Sequence, residues 1–298
     1  MTVTYIIFNR PDAVKESFER IRQAKPEKLY VVSDAAKPGD TENAEKVKRC
    51  REYVEAAVDW GCEFHKIYAE SNMGCRDRVS SGISEVLEKE EDTIILEDDI
   101  LPAPVFFEYC TELLDHYRYD PKVMMISGCN LLKEAPVETP YTFSCFASIW
   151  GWATWARAWE HYDVKVADWP EVKASGKLKR VMRGFPYEVF KREIDSVYTG
   201  VKDTWDIQWD YCRDINRGLG IVPRENLISN IGFGADATHT TWEATEDFTY
   251  GKMTLPFSEH PPVKRDTVYD AAYIRKNYGS GRVKRFIKKR LGGILQKG

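Results

Sequence analysis

Between residues 2 and 97 the chain repeats one alternation, a short β-branched or aromatic run followed by a longer amphipathic stretch, and that order admits few folds. Strands are expected at 2–8, 28–33, 62–68 and 93–97, with helices at about 12–24, 41–59 and 75–90 between them. The alternation predicts an α/β fold, a mostly parallel sheet with helices on both faces. Val14, Phe18 and Ile21 form one helical stripe, and Val79, Ile83, Val86 and Leu87 form another, each spaced to pack on such a sheet. A further helix over 106–117 and a strand over 122–127 follow. Past about residue 130 the pattern breaks into loops rich in Trp, Pro and Gly, with helical stretches near 186–198 and 206–216. The expected division is therefore a regular half over 1–130, an irregular half of the same domain over 131–260, and a C-terminal extension over 261–298.

Bulk properties exclude several classes. The 298 residues are 43% hydrophobic and 30% charged, as in an ordinary globular protein, and no apolar run approaches the roughly 20 residues of a membrane-spanning helix. The N-terminus enters a strand directly, without a basic and apolar leader, so a cytoplasmic location is expected. Seven cysteines without a C-x-x-C pair argue against a disulfide framework and a zinc knuckle. A net charge of -4 argues against a general nucleic-acid binder. From Arg282 onward, Lys284, Arg285, Lys288, Lys289, Arg290 and Lys297 alternate with Val283, Phe286, Ile287 and Leu291, without an acid among them. One reading is an interfacial amphipathic segment, peripheral on the inner membrane face, that gains about 1 kcal/mol per cation at an anionic surface. The other is a solvated or frayed tail.

In an open α/β sheet, ligands bind beyond the carboxyl ends of the strands. Those positions here are polar throughout: Asn9-Arg10-Pro11, then Ser33-Asp34, then Glu70 to Gly74, then Glu97-Asp98-Asp99. The last is the sharpest signal. Three adjacent carboxylates repel by about 1 kcal/mol per pair at 4 Å even in water, so a cation is expected to offset them, and a hard divalent ion carrying phosphate oxygens suits that role. A helix-capping or merely acidic loop is the bland alternative.

The motifs Phe8-Asn9-Arg10-Pro11, Asp34, Asn72-Met73-Gly74-Cys75-Arg76, Ile95 to Asp99 with Pro102 and Phe106-Phe107, and Trp150-Gly151-Trp152-Ala153-Thr154-Trp155 stand in a telling order. Together they resemble the GT-A (Rossmann-like) glycosyltransferases, more closely the bacterial hemolytic-protein-like glycosyltransferases, with N-acetylglucosaminyltransferase I a distant relative. The resemblance spans roughly residues 1–245. It implies a metal-dependent hexosyl- or N-acetylhexosaminyltransferase acting on a UDP-sugar, with the irregular half holding a glycan or lipid-linked glycan acceptor. By the same resemblance Arg10 and Asp34 hold the nucleotide base, Glu97 orients the sugar, Asp98 reaches the ribose or donor sugar, and Asp99 ligates Mn²⁺ or Mg²⁺. Asp206 is implied as general base ahead of Asp210, and a carboxylate base there implies inversion. Bland readings stand beside these: Asp34 as a helix cap, Asn72 and Gly74 as a turn, and the acids of 203–210 as partners of a helix dipole.

Arg76 and Arg78 at a helix start would set cationic donors beside free N–H groups, an arrangement suited to pyrophosphate, or would be solvated charge. Trp150, Trp152, Trp155 and Trp159 offer a sugar-stacking wall or a core cluster, and Gly151 suggests close backbone approach to a ligand around Trp150 and Trp152. His239, in a Gly-rich loop, would complete a metal shell or bind phosphate, or else be exposed. Two other functions compete: a sugar-nucleotide nucleotidyltransferase, disfavoured because no Gly-rich basic loop follows the first strand, and a non-catalytic carbohydrate-binding protein.

Overall fold

A computed structural model describes residues 1–132, 136–232 and 250–279. The first part follows the expected alternation: β1 (Thr2–Ile7), α1 (Pro11–Ala24), β2 (Lys28–Ser33), α2 (Thr41–Ala57), β3 (Glu63–Tyr68), α3 (Gly74–Leu87) and β4 (Asp92–Glu97). A short β5 (Ile100–Pro102), α4 (Val105–His116), β6 (Val123–Ser127), β7 (Tyr141–Ser144), β8 (Trp152–Trp155), α5 (Ala156–Trp159), α6 (Trp169–Ser175), α7 (Gly184–Tyr198) and α8 (Asp206–Ile215) follow. The described chain ends with β9 (Leu219–Pro223), β10 (Ile228–Asn230) and α9 (Thr267–Tyr278).

Eight strands form one sheet in the order β3-β2-β1-β4-β8-β6-β9-β7. β3, β2, β1 and β4 pair in parallel, β8 runs antiparallel between β4 and β6, β9 is parallel to β6, and β7 is antiparallel at the edge. Alternate strand residues face opposite layers. Val3, Tyr5, Leu29, Val31 and Leu96 pack with Val14, Phe18 and Ile21 of α1 and with α2 and α4. Ile6, Tyr30, Val32 and Ile95 pack with Val79, Ile83, Val86 and Leu87 of α3 and with α5 and α8. Both predicted stripes are buried, each large side chain gaining about 1.5–3 kcal/mol from the removal of its surface from water.

The 131–260 stretch is more regular than expected, since β7, β8 and β9 complete the main sheet. β8 eluded the pattern because a four-residue strand flanked by strands and covered on both faces shows no polar alternation. α9 also docks on this body: Asp266 caps its first turn and accepts the Thr142 hydroxyl, while the Ser144 hydroxyl donates to Asp270. The basic stretch from Arg282 and its apolar partners lie outside the described residues, as does His239. All seven cysteines are free, five of them buried. Among the described residues no helix is long and apolar enough to cross a membrane.

Candidate functional site

Asp98 and Asp99 form the turn between β4 and β5, at the carboxyl edge of the parallel strands. Three contacts fix that turn. The Ser17 hydroxyl, on the buried side of α1, donates to the Asp98 carbonyl at 2.9 Å, and the Phe8 N–H donates to Asp98 Oδ2 at 3.2 Å. From the far side β10 pairs antiparallel with β5, and the Ile231 N–H donates to the Asp99 carbonyl at 2.9 Å. The Tyr250 hydroxyl donates to the Leu101 carbonyl at 3.0 Å. Ser17 was not singled out from sequence, although a small hydroxyl three residues after Val14 in an otherwise apolar stripe is the signal that would have found it.

Arg10 supplies the countercharge. Pro11 keeps the preceding residue out of the helical region, with φ −116° and ψ 75°, and from there the guanidinium spans both acids, Nη2 at 2.5 Å from Asp98 Oδ1 and Nη1 at 2.8 Å from Asp99 Oδ2. Beyond this ion pair, the buried Asp98 Oδ1 has no partner among the described residues. The structure therefore sets Arg10 on the acid triplet, whereas the resemblance implied a place at the nucleotide base. One cation does not balance three carboxylates. Loss of hydration and then the charges of Asp99 and Asp98 push Glu97 up to about 8, and burial pushes Asp98 up to about 6 against the pull of Arg10.

That deficit of positive charge is the test of whether a divalent ion fits, and hard carboxylate oxygens suit Mg²⁺ or Mn²⁺. Among the described residues no group of three His, Cys, Asp or Glu side chains forms a metal cage. A fitting ion would accordingly take Asp99 from the protein and its remaining ligands from phosphate and water, as Mg²⁺ commonly does.

Asp34 occupies the neighbouring strand end and is 7% exposed. Its carboxylate accepts the N–H groups of Ala35, Met73 and Gly74 and the Asn72 amide, all within 3.2 Å. It thereby caps α3, about forty residues on, while α2 is capped by Asp40. Asn72 also donates to the Ala35 carbonyl, so the pair forms a clamp between two strand ends. The N–H groups of Met73 and Gly74, expected to be free beside Arg76, are thus already satisfied. Arg76 itself pairs with Asp77 at 2.7 Å and lies 3.7 Å from Asp203, and Arg78 is buried against Met73 rather than solvated. A depression of about 560 Å³ opens beside this clamp, with Ala35, Lys37, Asp40, Arg51, Tyr68 and Glu70 in its lining.

α8 brings two more carboxylates. Trp205 and Trp209, at i, i+4, turn one face into the core. Trp205 stacks on Trp152 with centroids 5.8 Å apart, and Trp209 lies 5.1 Å from Trp159 and 5.7 Å from Trp152. Trp152, Trp155 and Trp159 are buried, which corrects the sugar-wall reading for those three: Trp152 and Trp159 seat α8 and α5 on one face of the sheet, and Trp155 packs on the other, its N–H donating to the Leu114 carbonyl of α4. Gly151 has φ +59°, and a Cβ there would lie 2.3 Å from Ile228 Cδ1, so the close approach at this glycine is made by Ile228. Trp150 is half-buried against the core.

One residue further round the helix, Asp206 accepts the Thr204 hydroxyl and lies near enough to Glu97 for its charge to contribute to raising that carboxyl. Asp210 pairs instead with Arg213, whose side chain is 1% exposed. The structure thus brings Arg10 onto Asp98 and Asp99 directly after Glu97, with Asp206 within electrostatic reach of Glu97 and the Asp34–Asn72 clamp at the end of β2.

No protein-family model matches the chain, and no curated protein does. Solved structures with loose similarity include a mannosyltransferase, PcManGT from Pyrobaculum calidifontis, in complex with GDP-Man and Mn²⁺ (16% identity over 71% of this chain and 69% of that one, TM-score 0.39). Residues 1–349 of S. aureus TarS align at 9% identity over 78% of this chain and 61% of that one, with TM-score 0.41. A UDP-glucose pyrophosphorylase complexed with UDP-glucose aligns at 13% identity over 54% and 79%, with TM-score 0.32. At TM-scores this low these likenesses assign neither family nor activity.

Proposed function

We propose that this chain is a GT-A-type inverting glycosyltransferase that moves a hexose or N-acetylhexosamine from a nucleoside diphosphate, UDP the one expected, to a hydroxyl of a glycan or lipid-linked glycan. The observation that carries the reading is the Glu97-Asp98-Asp99 turn at the carboxyl edge of the parallel strands with Arg10 laid across Asp98 and Asp99; Asp206 lies within electrostatic reach of Glu97. The place after β1 supports it against a nucleotidyltransferase, because Asn9 and Arg10 there are engaged with Asn43 and the acid turn and no Gly-rich loop is present to cradle phosphate.

In this reading the base lies in the depression beside Asp34, and Asp99 presents its carboxylate to Mn²⁺ or Mg²⁺. The ion, when bound, neutralises charge on the departing diphosphate. Asp206 takes the proton of the acceptor hydroxyl as that oxygen attacks the anomeric carbon, the Thr204 hydroxyl fixing the carboxylate's direction. Asp210 is less suited to the task because Arg213 already holds it. A base acting from the face opposite the leaving group inverts the anomeric centre. Trp150 at the cleft margin, His239 beside the ion, a cytoplasmic setting and a basic tail resting on an anionic leaflet belong to the same proposal.

Nucleotide release across common UDP- and GDP-sugars tests it. Asp206→Asn is expected to lower turnover by about 10²–10⁴-fold, the usual worth of a general base, with UDP affinity unchanged. Retention of turnover within about threefold of the parent removes Asp206 from the chemistry.

A further inference from the structure

We infer that Arg10 and a divalent cation are alternative partners of the same carboxylates, so that the nucleotide-free protein is held shut to metal by its own guanidinium and takes up the ion together with the nucleotide. The inference rests on the proposed metal and nucleotide site. Its basis is geometric. Arg10 bridges Asp98 and Asp99, and Asp99 Oδ2 is hemmed on another side by the chain at Gly232, where an added Cβ would come within 2.2 Å of it. Asp98 has a 3% exposed side chain, with one oxygen on the Phe8 N–H and the other against Arg10. In this arrangement Asp98 reaches no ribose, and Asp99 offers an ion only a carboxylate already shared with a cation.

A divalent ion placed on Asp99 would face that guanidinium at short range, and like charges there repel. The nucleotide resolves the conflict, because its diphosphate offers Arg10 a second anionic fork of matching geometry. Transfer of Arg10 from carboxylate to phosphate frees Asp99 for the ion at the same step. Nucleotide and metal then tighten one another reciprocally, as linkage requires. The 32% exposed Arg10 side chain has solvent on one side into which to move, whereas the Asp98 side chain, 3% exposed, does not.

The test is Mn²⁺ titration followed by electron paramagnetic resonance, with and without UDP, on the full chain and on Arg10→Met, Arg10→Lys and Asp99→Asn. UDP is expected to tighten Mn²⁺ at least tenfold in the parent. Without UDP, Arg10→Met should bind Mn²⁺ at least tenfold tighter than the parent, Arg10→Lys should fall between, and Asp99→Asn combined with Arg10→Met should erase the gain. Should Arg10→Met not fold, Arg10→Lys and the UDP dependence of the parent carry the test. Equal nucleotide-free Mn²⁺ affinity in the parent and both Arg10 variants, with uptake at Asp99 intact, overturns the inference and leaves the proposed function standing. Absence of Mn²⁺ uptake by any protein even with UDP removes the metal reading and this inference with it.

Discussion

Replacement of Trp209 by alanine separates a packing role from a sugar-binding one. Trp209 is fully buried and touches Trp152 and Trp159 at centroid separations of 5.7 and 5.1 Å. An indole buries about 150–250 Å², which at about 25 cal/mol per Å² is worth about 4–6 kcal/mol as an upper bound. Measured Trp→Ala losses of about 3–5 kcal/mol in cores agree with that scale. Taking about 4 kcal/mol, and about 2–4 °C per kcal/mol for a chain near this size, the melting temperature should fall by about 8–16 °C. Trp209→Phe should cost only about 1–2 kcal/mol, because the Trp209 N–H has no partner among the described residues and its removal breaks no hydrogen bond. Urea and thermal unfolding measure both. A loss below about 1 kcal/mol for Trp209→Ala, accompanied by weakened sugar binding, would show that the indole faces a ligand and that the packing argument is wrong.

Two further outcomes follow from local geometry. Gly151→Ala should destabilise by about 2–4 kcal/mol through a left-handed backbone angle and a clash with Ile228, and its cost should be smaller when added to Ile228→Ala than when added to the parent, read by thermal melts of all four chains; no loss on Gly151→Ala would remove the argument. His260 stacks on His116 with centroids 3.6 Å apart, and burial followed by the neighbouring imidazole lowers its pKa, Glu112 opposing. The unfolded chain therefore binds the proton first, and stability should fall as pH drops through about 6.5 toward the lower folded value; a His260→Gln variant with an unchanged pH–stability curve would contradict this.

How much was legible depended on periodicity. Val14, Phe18 and Ile21, and again Val79, Ile83 and Val86, announce helices on opposite faces of a sheet because each pattern extends over several turns. β8 does not, since four residues buried between two strands show no contrast of polar and apolar sides. The acid turn was readable as a site because three carboxylates directly after an apolar strand need an explanation in charge. Its partners were harder to assign. Pairing of Arg10 with Asp98 and Asp99, and capping of α3 by Asp34, are contacts between residues 38 or more positions apart, which no local spacing encodes. The tryptophans were ambiguous for the same reason: adjacency shows that indoles cluster, and only the sheet order shows that Trp152 lies in its middle.

Calorimetric titration of UDP, with Mn²⁺ and with chelator, into the parent chain and Asp99→Ala bears most directly on the central claim. The account predicts that Mn²⁺ tightens UDP at least tenfold in the parent and that Asp99→Ala, still folded, loses this gain. UDP binding indifferent to Mn²⁺ in the parent, or an equal metal effect in Asp99→Ala, would contradict it.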